Sequence, residues 1–97
     1  MPVWRNCTIE NYYATEDAAD DNPCIVVIDG GRISVTYDYD GKPVVYEGPE
    51  IGTGHFKLTK QGGHGTASLH CFPAGLVLAG GWIENGEMGM WQIHLAD

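Results

Sequence analysis

Leu76-Val77-Leu78-Ala79-Gly80-Gly81-Trp82-Ile83-Glu84-Asn85-Gly86-Glu87-Met88-Gly89-Met90-Trp91-Gln92-Ile93-His94-Leu95 reads as one β-hairpin. Asn85-Gly86 is the turn, because both residues tolerate the positive φ that a type I′ turn requires. With that loop fixed, Glu84 faces Glu87, Ile83 faces Met88, Trp82 faces Gly89 and Gly80 faces Trp91. Each indole lies across from a glycine whose backbone it can cover. One face then collects Leu76, Leu78, Trp82, Trp91, Ile93 and Leu95, which is a core face. The class is all-β.

Working outward, turn dipeptides recur every 8–12 residues or so, the tempo of a sandwich or barrel. With Gly30-Gly31 as a loop, Asp29 faces Arg32 and Ile28 faces Ile33. With Asp40-Gly41 as a loop, Tyr39 faces Lys42, Tyr37 faces Val44 and Val35 faces Tyr46. One side thereby gathers Val26, Ile28, Ile33, Val35, Tyr37, Val44 and Tyr46. Pro43 falls opposite Asp38, where a missing N–H leaves the ladder intact. A four-residue loop Gln61-Gly62-Gly63-His64 sets Thr59 against Thr66, Phe56 against Leu69 and His55 against His70. A turn at Pro73-Ala74 sets Leu69 against Leu78 and His70 against Val77. The expected strands are Val3–Tyr13, Cys24–Asp29, Arg32–Tyr39, Lys42–Glu50, Gly54–Lys60, Gly65–Phe72, Leu76–Glu84 and Glu87–Leu95. Tight joins imply an antiparallel meander of about eight short strands in one domain over 1–97, forming a small barrel or half-barrel. Residues 15–21 are expected to form one short helix, capped by Thr15 and ended by Pro23, or else a solvated loop.

The 97 residues support one core. Five Lys+Arg against thirteen Asp+Glu give a net charge of −8. Such a chain repels phosphate backbones and anionic membranes, so neither nucleic acid nor a membrane surface is an expected partner. No apolar run approaches the roughly 20 residues of a membrane helix. Met1-Pro2-Val3-Trp4-Arg5-Asn6 has no basic segment followed by an apolar one. Cys7, Cys24 and Cys71 are odd in number and lack a CxxC spacing, which fits free thiols in a reducing cytoplasm better than a disulfide framework.

Gly81-Trp82-Ile83-Glu84-Asn85-Gly86 and Gly89-Met90-Trp91-Gln92-Ile93, set in an eight-stranded meander, resemble calycin-type barrels, the avidin and lipocalin group, and their half-barrel relatives. Lipocalins carry a Gly-x-Trp motif near the first strand; here Trp4 has no such glycine before it. The resemblance implies a small, partly apolar ligand inside the barrel. Trp4, Tyr37, Tyr46, Phe56, Trp82 and Trp91 are the aromatics that would line its site, or simply fill the core.

Other constellations carry less. Thr36-Tyr37-Asp38-Tyr39-Asp40-Gly41-Lys42, with Glu47, echoes a calcium loop, but Thr stands at its first position, Pro43 interrupts it, and the hairpin already explains Asp40-Gly41. His55, His70 and His94 fall on the outer face. A metal shared by His55 and His70 is the alternative to solvent-exposed histidines, and with it a minor enzymatic role. His70-Cys71 is no catalytic pair, since strand neighbours point to opposite faces. No cofactor and no catalytic residue is expected. The outer face of the last hairpin is unusual: Val77, Ala79, Ile83, Met88 and Met90 are apolar where a wet face alternates into polar residues. A homodimer through that face is expected, with the Thr15–Pro23 segment as the alternative cover. A protein–protein interaction module without a small ligand is the third functional reading.

Overall fold

Three two-residue loops, Gly30-Gly31, Asp40-Gly41 and Asn85-Gly86, have positive φ at both positions, so each returns the chain with the twist its strands need. The computed structural model describes residues 3–13, 19–72 and 74–97. Its strands are β1 (Val3–Tyr13), β2 (Ala19–Asp29), β3 (Arg32–Tyr39), β4 (Lys42–Gly52), β5 (His55–Lys60), β6 (Gly65–His70), β7 (Val77–Glu84) and β8 (Glu87–His94). They pair antiparallel in sequence order, and β8 returns to β1, from Thr8↔His94 to Tyr13↔Gly89. The sheet is thus a closed barrel, and the half-barrel alternative is overturned. Closure gives every strand a hydrogen-bonded neighbour on both sides.

The hairpin registers are those the turns dictate. Ile28↔Ile33, Tyr37↔Val44, Val35↔Tyr46, His55↔His70, Trp82↔Gly89 and Gly80↔Trp91 are all observed. Side chains alternate accordingly. Every strand contributes an interior residue no more than 1% exposed: Ile9, Val26, Val35, Tyr46, Leu58, Leu69, Leu78 and Ile93. The middle of the barrel is therefore a packed core.

Three expectations need correction and a fourth an addition. First, β2 begins at Ala19, not Cys24, and pairs with β1 down to Tyr12↔Ala19. Residues 19–21 are strand where a helix was one expectation; residues 14–18 lie outside the described residues. Pairing with the long β1 satisfies backbone groups that a lone helical turn would leave to water. Second, β6 and β7 pair as Ala67↔Trp82 and His70↔Ala79. This is two residues away from the register of a Pro73-Ala74 turn: β6 ends at His70, β7 starts at Val77, and Ala74 between them takes φ 60°. A slip of two preserves the faces, so the core set survives it. Third, Leu76 lies before β7 and is 64% exposed, outside the core face. Fourth, at Gly80 the atom nearest to a Cβ would be the carbonyl oxygen of Ser68, at 1.7 Å. Close approach of β6 by itself requires a glycine there, in addition to its place opposite Trp91. At Gly89 the expected cover holds: a Cβ there would lie 2.6 Å from Trp82 Cζ2.

At one end of the barrel, backbone hydrogen bonds link the strand ends. β1 is irregular between Trp4 and Cys7, and there Asn6 N–H donates to Ala96 O at 3.0 Å. Leu95 N–H donates to Leu76 O, and Cys71 N–H to Gly54 O. Among the described residues no helix is long and apolar enough to cross a membrane.

Candidate functional site

The other end of the barrel opens into a cavity of about 250 Å³. Its walls are Asn11 and Tyr13 at the end of β1, Tyr37 and Tyr39 at the end of β3, Val44 on β4 and Lys60 at the end of β5. Trp82, Glu84, Asn85, Glu87 and Trp91 from the last hairpin complete it. Strand alternation places them. Asn11 and Tyr13 continue the inward series of Cys7 and Ile9, Lys60 follows Leu58, and Glu84 follows Trp82. Each polar group thus occupies an interior position where its strand reaches the mouth.

Trp91 forms the floor. It is 2% exposed, and the rings of Tyr46 and Tyr37 meet it edge-on, with centroids 4.9 and 6.2 Å away. Its Nε1 is buried and has no hydrogen-bond partner among the described residues. Trp82 forms a side wall against Tyr13, also edge-on at 5.7 Å, and its Nε1 donates to Asn11 Oδ1 at 2.8 Å.

Glu84 is the polar centre. Tyr46 Oη donates to its Oε2 at 2.6 Å, and Lys60 Nζ donates to its Oε1 at 2.5 Å. Gly65 makes room for this array, since a Cβ there would lie 2.5 Å from Tyr46 Oη. Burial works to raise the Glu84 carboxyl, but the bonds from Lys60 and Tyr46 outweigh it and hold the group below its ordinary value. Burial pushes both the Tyr37 and Tyr46 hydroxyls well up, followed by the Glu84 charge at Tyr37 and by the hydrogen bond to Glu84 and then its charge at Tyr46. Both phenols are therefore neutral donors at any physiological pH. The cavity offers aromatic walls, the Glu84–Lys60 charge pair, the Glu87 carboxylate and neutral hydroxyls, a set suited to holding a small molecule by ring contact and a few hydrogen bonds.

Of the six aromatics singled out in the sequence, the structure brings Tyr37, Trp82 and Trp91 together around this cavity, with Tyr46 directly behind Trp91. Trp4 and Phe56 pack elsewhere in the core. Asn11, Tyr13, Lys60 and Glu84 were not anticipated. Their signal was present as polar residues at inward parity near strand ends, but only closure of the sheet shows that these ends meet.

The histidines lie outside. The His55 and His70 rings stack with centroids 4.0 Å apart and planes 23° from parallel. Burial, then His70 and then Lys57, lowers the His55 pKa. His94 instead pairs with Glu10 of β1, whose carboxylate also accepts from Tyr12 Oη. A carboxylate does therefore join the outer histidine face, delivered by the β1–β8 closure. Among the described residues no three His, Cys, Asp or Glu side chains gather as a metal site would require. Cys71 packs partly buried against the core, its thiol pushed up by burial. The sequence matches no known protein-family model and no curated protein, so the geometry of the barrel mouth carries the functional reading.

Proposed function

We propose that this protein binds a small, partly aromatic molecule in the mouth of its barrel, in the manner of the calycin-type barrels it resembles. What carries this reading is a cavity of about 250 Å³ walled by Tyr13, Tyr37, Trp82 and Trp91 around the Glu84–Lys60 pair. Drug-sized sites run from roughly 300 to 1,000 Å³, so the fitting ligand is smaller, near the size of one substituted ring. Tyr37, whose hydroxyl makes no hydrogen bond among the described residues, supplies an anchor, as do the amide N–H groups of Asn11. Fluorescence of Trp82 and Trp91 gives the test. Titration with phenol, benzyl alcohol, benzamide, benzoate and benzylamine should produce a saturable change with at least one of them. That response should be lost in Tyr37→Ala. No saturable response to any probe up to its solubility limit overturns the reading.

The outer face of β7 and β8 supports a second proposal, a homodimer through that face. Ile83, Met88 and Met90 are more than half exposed and Val77 is 39% exposed. The closure extends the patch onto β1, where Tyr12 lies opposite Met90 and is also exposed. A cytoplasmic setting fits the three free cysteines.

A further inference from the structure

Cys7 and Cys24 stand directly opposite each other on β1 and β2. Both point into the barrel and are 1% and 3% exposed, and both thiols are free. Opposed residues on one face of an antiparallel pair hold their Cβ atoms roughly 4.5–5.5 Å apart. A disulfide needs about 3.5–4.5 Å. The remaining gap is small, and the pair adjoins the irregularity of β1 between Trp4 and Cys7, where the chain departs from a regular ladder and can adjust. The Cys7 thiol lies 3.4 Å from Trp4 O and 3.8 Å from Ala96 O, weak contacts that oxidation would give up. Cys71 is remote in topology, beyond the end of β6, a strand that pairs with neither β1 nor β2.

We propose that Cys7 and Cys24 form a modification site that a low-molecular-weight disulfide, such as glutathione disulfide, oxidises to a cross-strand bond. One protein thiol loses its proton and attacks a sulfur of the small disulfide. The S–S bond breaks, one small thiol leaves, and a mixed disulfide remains. The opposing protein thiol then loses its proton and displaces the second small thiol. The two cysteines give up two electrons and two protons, and the reagent takes up both. Burial slows the first attack: it pushes the Cys24 thiol up to about 12, with the Cys7 thiol beside it adding to the effect. The rate therefore rises with pH and with local opening of β1 from β2. Cys24 also lies opposite Tyr37 of the cavity wall, so the bond would form in the layer next to the binding site.

The experiment is incubation of the folded protein with excess glutathione disulfide at mildly alkaline pH, followed by intact mass and peptide mapping. The expected product has lost two hydrogens, links the peptides of Cys7 and Cys24, leaves Cys71 open to alkylation, and forms faster as pH rises. Cys71→Ser, which does not touch the pair, should give the same product. A bond that includes Cys71, a glutathione adduct that persists on Cys7 or Cys24, or a Cys7 and Cys24 that stay reduced where the urea-unfolded chain oxidises would each overturn the proposal.

Discussion

Tyr46 carries a hydroxyl to the edge of the core, where it donates to Glu84 at 2.6 Å from a residue that is itself 0% exposed. Tyr46→Phe removes the donor and keeps the ring against Trp91, so a loss of about 1–2 kcal/mol is expected in urea unfolding. An unchanged midpoint would mean that the bond contributes nothing. Glu84 gives a prediction in pH. Its folded pKa lies below the ordinary 4.5, so the unfolded chain takes up the proton first as pH falls. The stability it contributes is whole above about 4.5 and is lost as pH falls through the lower folded value. Wild type and Glu84→Gln should therefore converge in acid and separate above that range. Parallel pH profiles of the urea midpoint would refute this.

The last hairpin is the element whose parts test each other. Trp82 is 6% exposed and fills the side wall of the cavity, so Trp82→Ala should cost on the order of 3–5 kcal/mol. Two of its glycines serve different purposes. A Cβ on Gly89 would lie 2.1 Å from the carbonyl oxygen of Tyr12, on the strand that closes the barrel. A Cβ on Gly86 would meet nothing within 4 Å, but φ there is +81°. Gly86→Ala should cost about 1–2 kcal/mol, the strain of a left-handed residue. Gly89→Ala should cost more, because backbone on β1 must move as well. Denaturation midpoints in the opposite order would show that closure against β1 tolerates slack at this point.

For the molecule as a whole, the apolar outer patch and the net charge of −8 act against each other. A standard interface covers about 800 Å² per partner, and the total accessible surface here is 5940 Å². Burying the patch gains about 25 cal/mol per Å² of apolar surface, less the cost of association. Two like-charged copies repel, so added salt should strengthen the dimer. Met90→Lys should dissociate it without unfolding the barrel. Sedimentation at micromolar concentration decides the matter: a monomer at every salt concentration removes the dimer. The other expected cover, the Thr15–Pro23 segment, is not available as a whole, since residues 19–23 pair with β1 in the sheet.

The sequence by itself determined the all-β class, the three two-residue turns, and through them which side of each strand faces the core. The reason is local. A turn dipeptide with positive φ fixes the register of the strands it joins, and the two-residue period carries that register along, as from Asn85-Gly86 to Trp82 and Trp91. Only the tertiary structure decided closure of β1 on β8, since no turn joins those strands. It also lengthened β2 to Ala19 and shifted the β6–β7 register by two, because the connection over residues 71–76 has no dipeptide that enforces a tight turn. Leu76, apolar but outside the strand, was misplaced for the same reason. The candidate site follows this division. Trp82 and Trp91 could be read from one hairpin. Their meeting with Asn11, Tyr13, Tyr37, Lys60 and Glu84 depends on strand ends far apart in sequence being drawn into one ring, and the opposition of Cys7 and Cys24 depends on a pairing across a long connection. Local chemistry orients a side chain, but the closed sheet decides what it faces.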